Sequence, residues 1–116
     1  MPELTEVELP APRAVAVVDV EGAVRRAVVD KFRGIVTNKT VALGAGSRGL
    51  TGRVESLRGA VAGLREVGAR PFVVPAMGSH AGGSSDGQRA LLATLGITEE
   101  AIDCEIRSSM RTVEVA

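Results

Sequence analysis

The chain has 116 residues, a formal net charge of zero from 14 Lys and Arg against 14 Asp and Glu, and only 2% aromatic residues. This length fits a single domain with its own core, and an apolar fraction of 45% is typical of folded proteins. Zero net charge argues against a general nucleic-acid clamp, which needs a cationic surface. The scarcity of aromatic rings argues against a base-stacking platform.

The cysteine count and the N-terminal sequence indicate a compartment. Cys104 is the single cysteine, so no internal disulfide can form, which favours a reducing environment. The opening MPELTEVELP carries three Glu and no basic region of a signal peptide, and no apolar run approaches the ~20 residues of a membrane span. We therefore expect a cytoplasmic protein that binds neither nucleic acid nor a membrane.

The first elements follow an acidic, proline-bounded leader, residues 1–13, which precedes a core of about 14–116 in one domain. The β-branched run Val15–Val20 predicts a strand. Apolar residues at helical spacing predict a helix over Glu21–Phe32, and Gly34 follows where a helix would stop. A short apolar strand, Thr40–Leu43, then runs into the glycine-rich loop Gly44–Gly52.

The second half repeats this alternation. An apolar stripe from Val54 to Val67 predicts a helix of about four turns closed by Gly68. The apolar run Phe72–Ala76 is typical of a strand in a parallel sheet, and it leads into a second small-residue loop, Met77–Ser85. A third helix, capped by one of the serines of that loop, buries its leucines and stops at Gly96. One further turn over 98–102 and an extended tail follow.

Strands that alternate with helices in units of about 30 residues favour an α/β fold with a parallel, doubly wound, Rossmann-like sheet in three α/β/α layers. In such sheets ligands bind outside the carboxyl ends of the strands. Both glycine-rich loops lie at those ends, and they should be neighbours because the two strands should be adjacent.

The first loop matches G-x-G-x-x-G at Gly44–Gly49, after a strand and before a helix. This pattern holds anions on backbone N–H groups. A dinucleotide site also needs an acid at the end of the next strand, and none is present after Pro75. An anion site of another kind is favoured because Arg48 lies within the loop and can bind a carboxylate or phosphate. The alternatives are a turn that only packs a helix on a strand, and an arginine without a partner.

The second loop holds the only histidine, His80. Histidine titrates near neutral pH, with an ordinary pKa of about 6.5, and suits proton transfer. A surface or capping histidine is the alternative. Other candidates are weaker: Cys104 is expected to be a small buried side chain, Asp86 a partner of a helix dipole, and the serines lack the relay that a hydrolase needs. One His and one Cys cannot form a closed zinc site.

The segments VALGAGSRGL, GARPFVVPAMGSHAGGSSDGQRALLATLGITEE and IRSSM, within about residues 35–116, resemble the N-terminal part of the nickel-dependent lactate racemase family, most closely its poorly characterised homologues. The family's anion-binding D-x-[ST]-R-P loop is matched at Ser47 and Arg48, with Ala45 in place of the acid and Gly49 in place of the proline. This departure leaves the identity of the substrate open.

The family's G-x-H-R-P loop is matched at Gly78 and His80, with Ala81-Gly82 in place of Arg-Pro. The resemblance implies that His80 handles the hydroxyl proton of a 2-hydroxy acid while the family's nickel pincer nucleotide takes the hydride. That cofactor is expected to be held by later parts of the family's sequence, so we expect this chain alone to bind none. The expected substrate- or anion-binding residues are Gly46, Ser47, Arg48, Gly49, Gly78 and Ser79.

Three hypotheses follow. The chain is the N-terminal catalytic half of a lactate-racemase-like isomerase that acts on a 2-hydroxy acid or a related small anion and needs its C-terminal domain. Alternatively, it is a non-catalytic α/β domain that binds a small phosphate or carboxylate. A third hypothesis is a folded fragment whose exposed sheet or cleft promotes self-association as a homo-oligomer.

Overall fold

The computed structural model describes residues 2–12 and 16–115, and it shows a mixed α/β chain. In chain order the elements are α1 (Val20–Phe32), β1 (Thr40–Ala45), α2 (Arg53–Glu66), β2 (Arg70–Pro75), α3 (Ser85–Thr94) and α4 (Glu99–Ile102). A 3₁₀ turn, His80–Gly83, lies between β2 and α3. The predicted helix–strand alternation is thereby confirmed from α1 onward.

The two strands are parallel and in register from the pair Thr40–Arg70 to the pair Ala45–Pro75. On the far side of β2, Ile106 forms an isolated parallel bridge with Val73. The predicted parallel sheet is confirmed with two strands among the described residues. The three-layer, doubly wound arrangement stays a prediction.

The predicted strand Val15–Val20 is wrong in its described part. Residues 16–19 form no strand, and Val20 already belongs to α1; Val15 lies outside the described residues. The physical reason is the N-cap: the Asp19 carboxylate accepts a hydrogen bond of 2.9 Å from the Gly22 N–H, which starts a helix here. Val18 is fully exposed and has no neighbouring strand against which to pack.

Helix α1 packs closely along α2, and two glycines of α2 allow the approach. A Cβ at Gly59 would lie 2.3 Å from the Glu21 carbonyl oxygen, and one at Gly63 would lie 2.9 Å from the Arg25 carbonyl oxygen. The ion pairs Arg25–Glu66 and Arg58–Glu21 add to this contact, but each is about half exposed and contributes at most about 1 kcal/mol. The close approach of α1 and α2 is therefore made possible by the two glycines, and the ion pairs contribute little to it.

The core lies between the sheet and the helices on its β2 side. Its largest fully buried side chains are Val61, Val73, Leu92, Ile97 and Ile102. Cys104 is also buried in this cluster, which confirms the sequence-based expectation for it. The Ser84 hydroxyl caps α3 by accepting a hydrogen bond from Gly87 N–H, as predicted. Among the described residues, no helix combines the length and apolarity needed to cross a membrane.

Candidate functional site

The first glycine-rich loop leaves β1 at Ala45 and enters α2 at Arg53. Ser47 is half-buried, whereas Arg48 and Gly49 are exposed. The side chain of Arg48 forms no hydrogen bond or ion pair with the described residues, so its guanidinium is available to a ligand. The structure thus places the predicted anion-binding arginine on the surface of the loop.

The second loop leaves β2 at Pro75 and turns sharply before α3. Ala81, Gly82 and Gly83 have φ values of 54°, 74° and 63°, which lie in the left-handed region. This region suits glycine and costs other residues about 1 kcal/mol or more, so the Gly-Gly pair permits the turn. The turn leaves His80 exposed at the carboxyl end of the sheet.

The two loops meet through their side chains. Ser47 Oγ lies 2.5 Å from His80 Nδ1, a hydrogen bond between residues 33 positions apart in the sequence. The contact follows from the topology, because β1 and β2 are parallel neighbours and their carboxyl ends lie side by side. The expectation that the loops are neighbours is confirmed. His80 Nε2 forms no hydrogen bond with the described residues and is available to a substrate.

This pair differs from the arrangement of a serine hydrolase. In those enzymes the serine bonds to Nε2 of the histidine, and a carboxylate holds Nδ1. Here the serine occupies Nδ1 itself, and neither loop contains Asp or Glu. The geometry therefore makes Ser47 a group that orients the imidazole ring of His80 and leaves the Nε2 atom of that ring unbonded among the described residues.

Gln88 of α3 holds the backbone of the second loop through hydrogen bonds, a role that was not predicted from the sequence. Its side chain is only 7% exposed, and its amide nitrogen donates hydrogen bonds to the carbonyl oxygens of Gly78 at 2.7 Å and His80 at 3.4 Å. One signal was available in the sequence. Gln88 lies one turn before Leu92, on the buried stripe of α3, and a buried amide must find hydrogen-bonding partners.

Arg53 was also missed, and it fixes the first loop. Its guanidinium donates a hydrogen bond from Nη1 to the Gly46 carbonyl oxygen. Arginine in the first turn of a helix opposes the helix dipole, so its presence at the start of α2 was a signal that it has another partner. Gly46 and Gly78 thus belong to the site through their backbone carbonyl groups.

The remaining predicted residues belong to the site by position. Ser79 is exposed beside His80, and its hydroxyl forms no side-chain hydrogen bond with the described residues. Gly49 is exposed, and a Cβ there would lie 3.8 Å from Leu95. The structure therefore brings Ser47 and His80 into contact and leaves the other polar groups facing solvent around them.

The charge of the site comes from arginine. The loops hold Arg48 and lie beside Arg53, and they contain no acidic residue; the nearest acids in the sequence, Glu55 and Asp86, lie in the first turns of α2 and α3. As predicted, Asp86 is placed where a carboxylate interacts favourably with a helix dipole. This balance of charge favours a small anion over a cation.

The residues present do not fit a nickel centre. Within residues 2–12 and 16–115, no three or more His, Cys, Asp or Glu side chains are grouped so that they could hold a metal ion. His80, the one histidine, already uses Nδ1 for Ser47. None of the described residues is therefore assigned to the nickel nucleotide that the racemase resemblance implies, and the site itself offers an arginine, a serine and a histidine.

Comparison with known proteins gave no match. No family model, no curated protein and no solved structure is significantly similar to this chain. The similarity to lactate racemases therefore stays a prediction from the two loop motifs.

Proposed function

We propose that this domain binds a small anionic substrate between its two glycine-rich loops and that His80 transfers a proton to and from it. The observation that carries the proposal is the hydrogen bond between Ser47 Oγ and His80 Nδ1. It joins the loops at the end of the sheet where α/β proteins bind ligands, and it leaves Nε2 of the exposed His80 without a partner among the described residues.

The chemistry of the pair suits reversible proton transfer. A serine hydroxyl can donate to an unprotonated Nδ1 or accept from a protonated one, so the imidazole stays oriented in each protonation state. His80 Nε2 then accepts the hydroxyl proton of a bound 2-hydroxy acid and later returns it. Racemisation also requires an acceptor for the hydride of the α-carbon, which would be the cofactor that the family resemblance implies. The Arg48 guanidinium binds the carboxylate of the same molecule through two parallel hydrogen bonds.

In this proposal the domain is the catalytic half of a lactate-racemase-like isomerase of the cytoplasm and is inactive without a C-terminal domain. The two motifs shared with that family support it, and the completed sheet would have the three-layer, doubly wound form. The nickel nucleotide would be held outside the described residues, because these offer no ligand set for it.

A binding role without catalysis is the second candidate. It is favoured by one observation: His80 is the single proton-transfer group of the two loops, with no carboxylate as a second acid or base. A domain of this kind would hold a carboxylate or phosphate on Arg48 and the loop N–H groups.

Binding can be tested on the 116-residue chain. Its single histidine gives a single imidazole Hε1 signal in proton NMR, so titration with lactate or inorganic phosphate at constant pH reports directly on His80. We expect a saturable shift, and about tenfold weaker binding or more in Arg48→Ala because a charge-assisted hydrogen bond is lost. Arg111→Ala, an exposed arginine of the tail, is the matched control. A histidine signal that neither anion moves contradicts the proposed site.

Catalysis is tested in the full-length protein with its second domain. His80→Ala should abolish racemisation of a 2-hydroxy acid and leave the melting temperature nearly unchanged, because the side chain is exposed. Turnover that persists in this variant contradicts the catalytic role. If the wild-type protein binds the anion without turnover and His80→Ala still binds it, the non-catalytic role is correct.

A further inference from the structure

The outer edge of β1 has no partner among the described residues. The Lys39 carbonyl accepts a hydrogen bond from Arg70 N–H at 2.8 Å, and the Ala45 carbonyl accepts one from Ala76 N–H at 2.8 Å. Because alternate residues of a strand bond to the same neighbour, the backbone groups of Thr40, Ala42 and Gly44 point away from β2. These three residues are exposed, and the sheet ends at β1.

Two neighbouring apolar pockets, beside residues 41–45 of β1, form a groove along this edge. Its first part, about 400 Å³, lies at the carboxyl end beside Gly44–Gly46, and its second part, about 240 Å³, lies beside Val41–Leu43. Ala60 of α2 lines both parts, and Val24 and Phe32 of α1 lie at opposite ends. A free strand edge above an apolar groove is the geometry that accepts an added strand.

A suitable strand exists in the N-terminal segment Leu4–Leu9. It has six residues, as β1 has, and Pro10 ends it because proline cannot donate to a ladder. Thr5, Val7 and Leu9 would share one face, and Leu4, Glu6 and Glu8 the other. Leu4, Val7 and Leu9 are 96%, 70% and 83% exposed.

The segment is exposed along its whole length. Residues 2–12 are all exposed. The radius of gyration of the chain is 18.2 Å, against about 13 Å for a compact chain of this length, and the exposed tail 109–115 contributes to this value as well as the N-terminal segment. An exposed segment is available to another molecule.

The segment and the residues near the start of β1 also differ in charge. The segment carries Glu6 and Glu8, and Glu3 lies immediately before it. The stretch from the last turn of α1 to the residue before β1 carries three exposed cations, Lys31, Arg33 and Lys39, and one exposed acid, Asp30. The segment and the region before β1 are therefore opposite in net charge.

We propose that the segment Leu4–Leu9 of one copy of this chain pairs with the free edge of β1 of a second copy, with Val7 and Leu9 in the apolar groove and the glutamates on the opposite, open face of the sheet. Two copies that exchange segments form a closed dimer. This inference is independent of the proposed anion site.

The first test is the mass in solution over a range of concentrations, by sedimentation or light scattering. We expect twice the chain mass of 12.0 kDa at high concentration, with weaker association as salt increases. Val7→Glu should weaken dimerisation about tenfold or more, since the dimer would bury the apolar side chain of Val7 and could not bury a glutamate in its place. Val113→Glu is the matched control, because Val113 is also an exposed valine, in the other tail, and its substitution should have no effect. A monomer at millimolar concentration, or equal effects of the two variants, overturns the proposal.

The second test locates the contact. Glu6 and Ala42 would lie on the open face of the sheet, so a mixture of the single variants Glu6→Cys and Ala42→Cys should form a mixed disulfide dimer under mild oxidation. A mixture of Glu114→Cys and Ala42→Cys is the control and should not. If the double variant Glu6→Cys/Ala42→Cys instead closes within one monomer at high dilution, the segment pairs with its own chain and the second-copy assignment is wrong.

Discussion

The two strands of the sheet share a register but have different surroundings. Val73 of β2 is fully buried, and it bonds on its outer side to the tail, donating to Glu105 and accepting from Arg107. β1 is bonded on one side only, and its residues alternate between exposed and half-buried or buried. The core is therefore centred on β2, while β1 is a surface strand. The stability of the fold should therefore depend on the β2 side of the sheet, and the proposed dimerisation on the free edge of β1.

The largest effect should come from a cavity on the β2 side. Leu92 is fully buried, so Leu92→Ala should lower the free energy of unfolding by about 2–5 kcal/mol. Leu50→Ala, at a leucine that is 66% exposed, should change it by no more than about 0.5 kcal/mol. Urea unfolding followed by circular dichroism measures both. Similar losses in the two variants would show that the core is not centred on β2.

A smaller loss should follow when the α1–α2 contact is widened. Gly59→Ala gains about 1 kcal/mol of helix propensity, but its Cβ would lie 2.3 Å from the Glu21 carbonyl, and overpacking costs about 1–3 kcal/mol. We expect a net loss of about 1 kcal/mol in the same unfolding experiment. Gly49→Ala meets only ordinary contacts and is the control. A stabilised Gly59→Ala protein would show that α1 can move away at little cost.

The smallest effect should be a loss of stability in alkali. Burial raises the pKa of the Cys104 thiol above its usual value of about 8.5, so the native state holds this proton more tightly than the unfolded state does. The free energy of unfolding should therefore fall as the pH rises through and above about 8.5. The chain has no tyrosine to obscure this titration. Unfolding at pH 7 and pH 9.5 measures it, and a fall that persists in Cys104→Ala has another cause.

The sequence predicted the elements whose signals are local. The helix α2, the strand β2, the serine cap of α3 and the turn after Thr98 all agree with the structure, because periodicity and capping residues determine them. The strand predicted before α1 was wrong because β-branched residues form a strand only where a second strand lies beside them. Periodicity in the sequence does not show whether such a partner strand is present. For the same reason, the number of strands in the sheet could not be predicted, because it depends on pairing between residues that are distant in the sequence.

The candidate site was predictable to the level of its loops. His80 was singled out by residue type and Ser47 by its match to the family's loop motif, and parallel strands place their loops together. The contacts of Arg53 and Gln88 could not be predicted in detail, since both bond to backbone carbonyls whose direction depends on left-handed residues and on helix packing. Local patterns do not specify those directions.

Gln88 also couples the second glycine-rich loop, which holds His80, to the stability of helix α3. Its amide holds the backbone at both Gly78 and His80, while Ser85 and Ser108 exchange hydroxyl-to-carbonyl hydrogen bonds that bind the same helix to the tail. Opening the first turns of α3 would release the histidine loop and the tail together. Loop, helix and tail should therefore exchange their amide hydrogens as one unit, and a ligand that holds His80 should slow exchange as far away as residue 108.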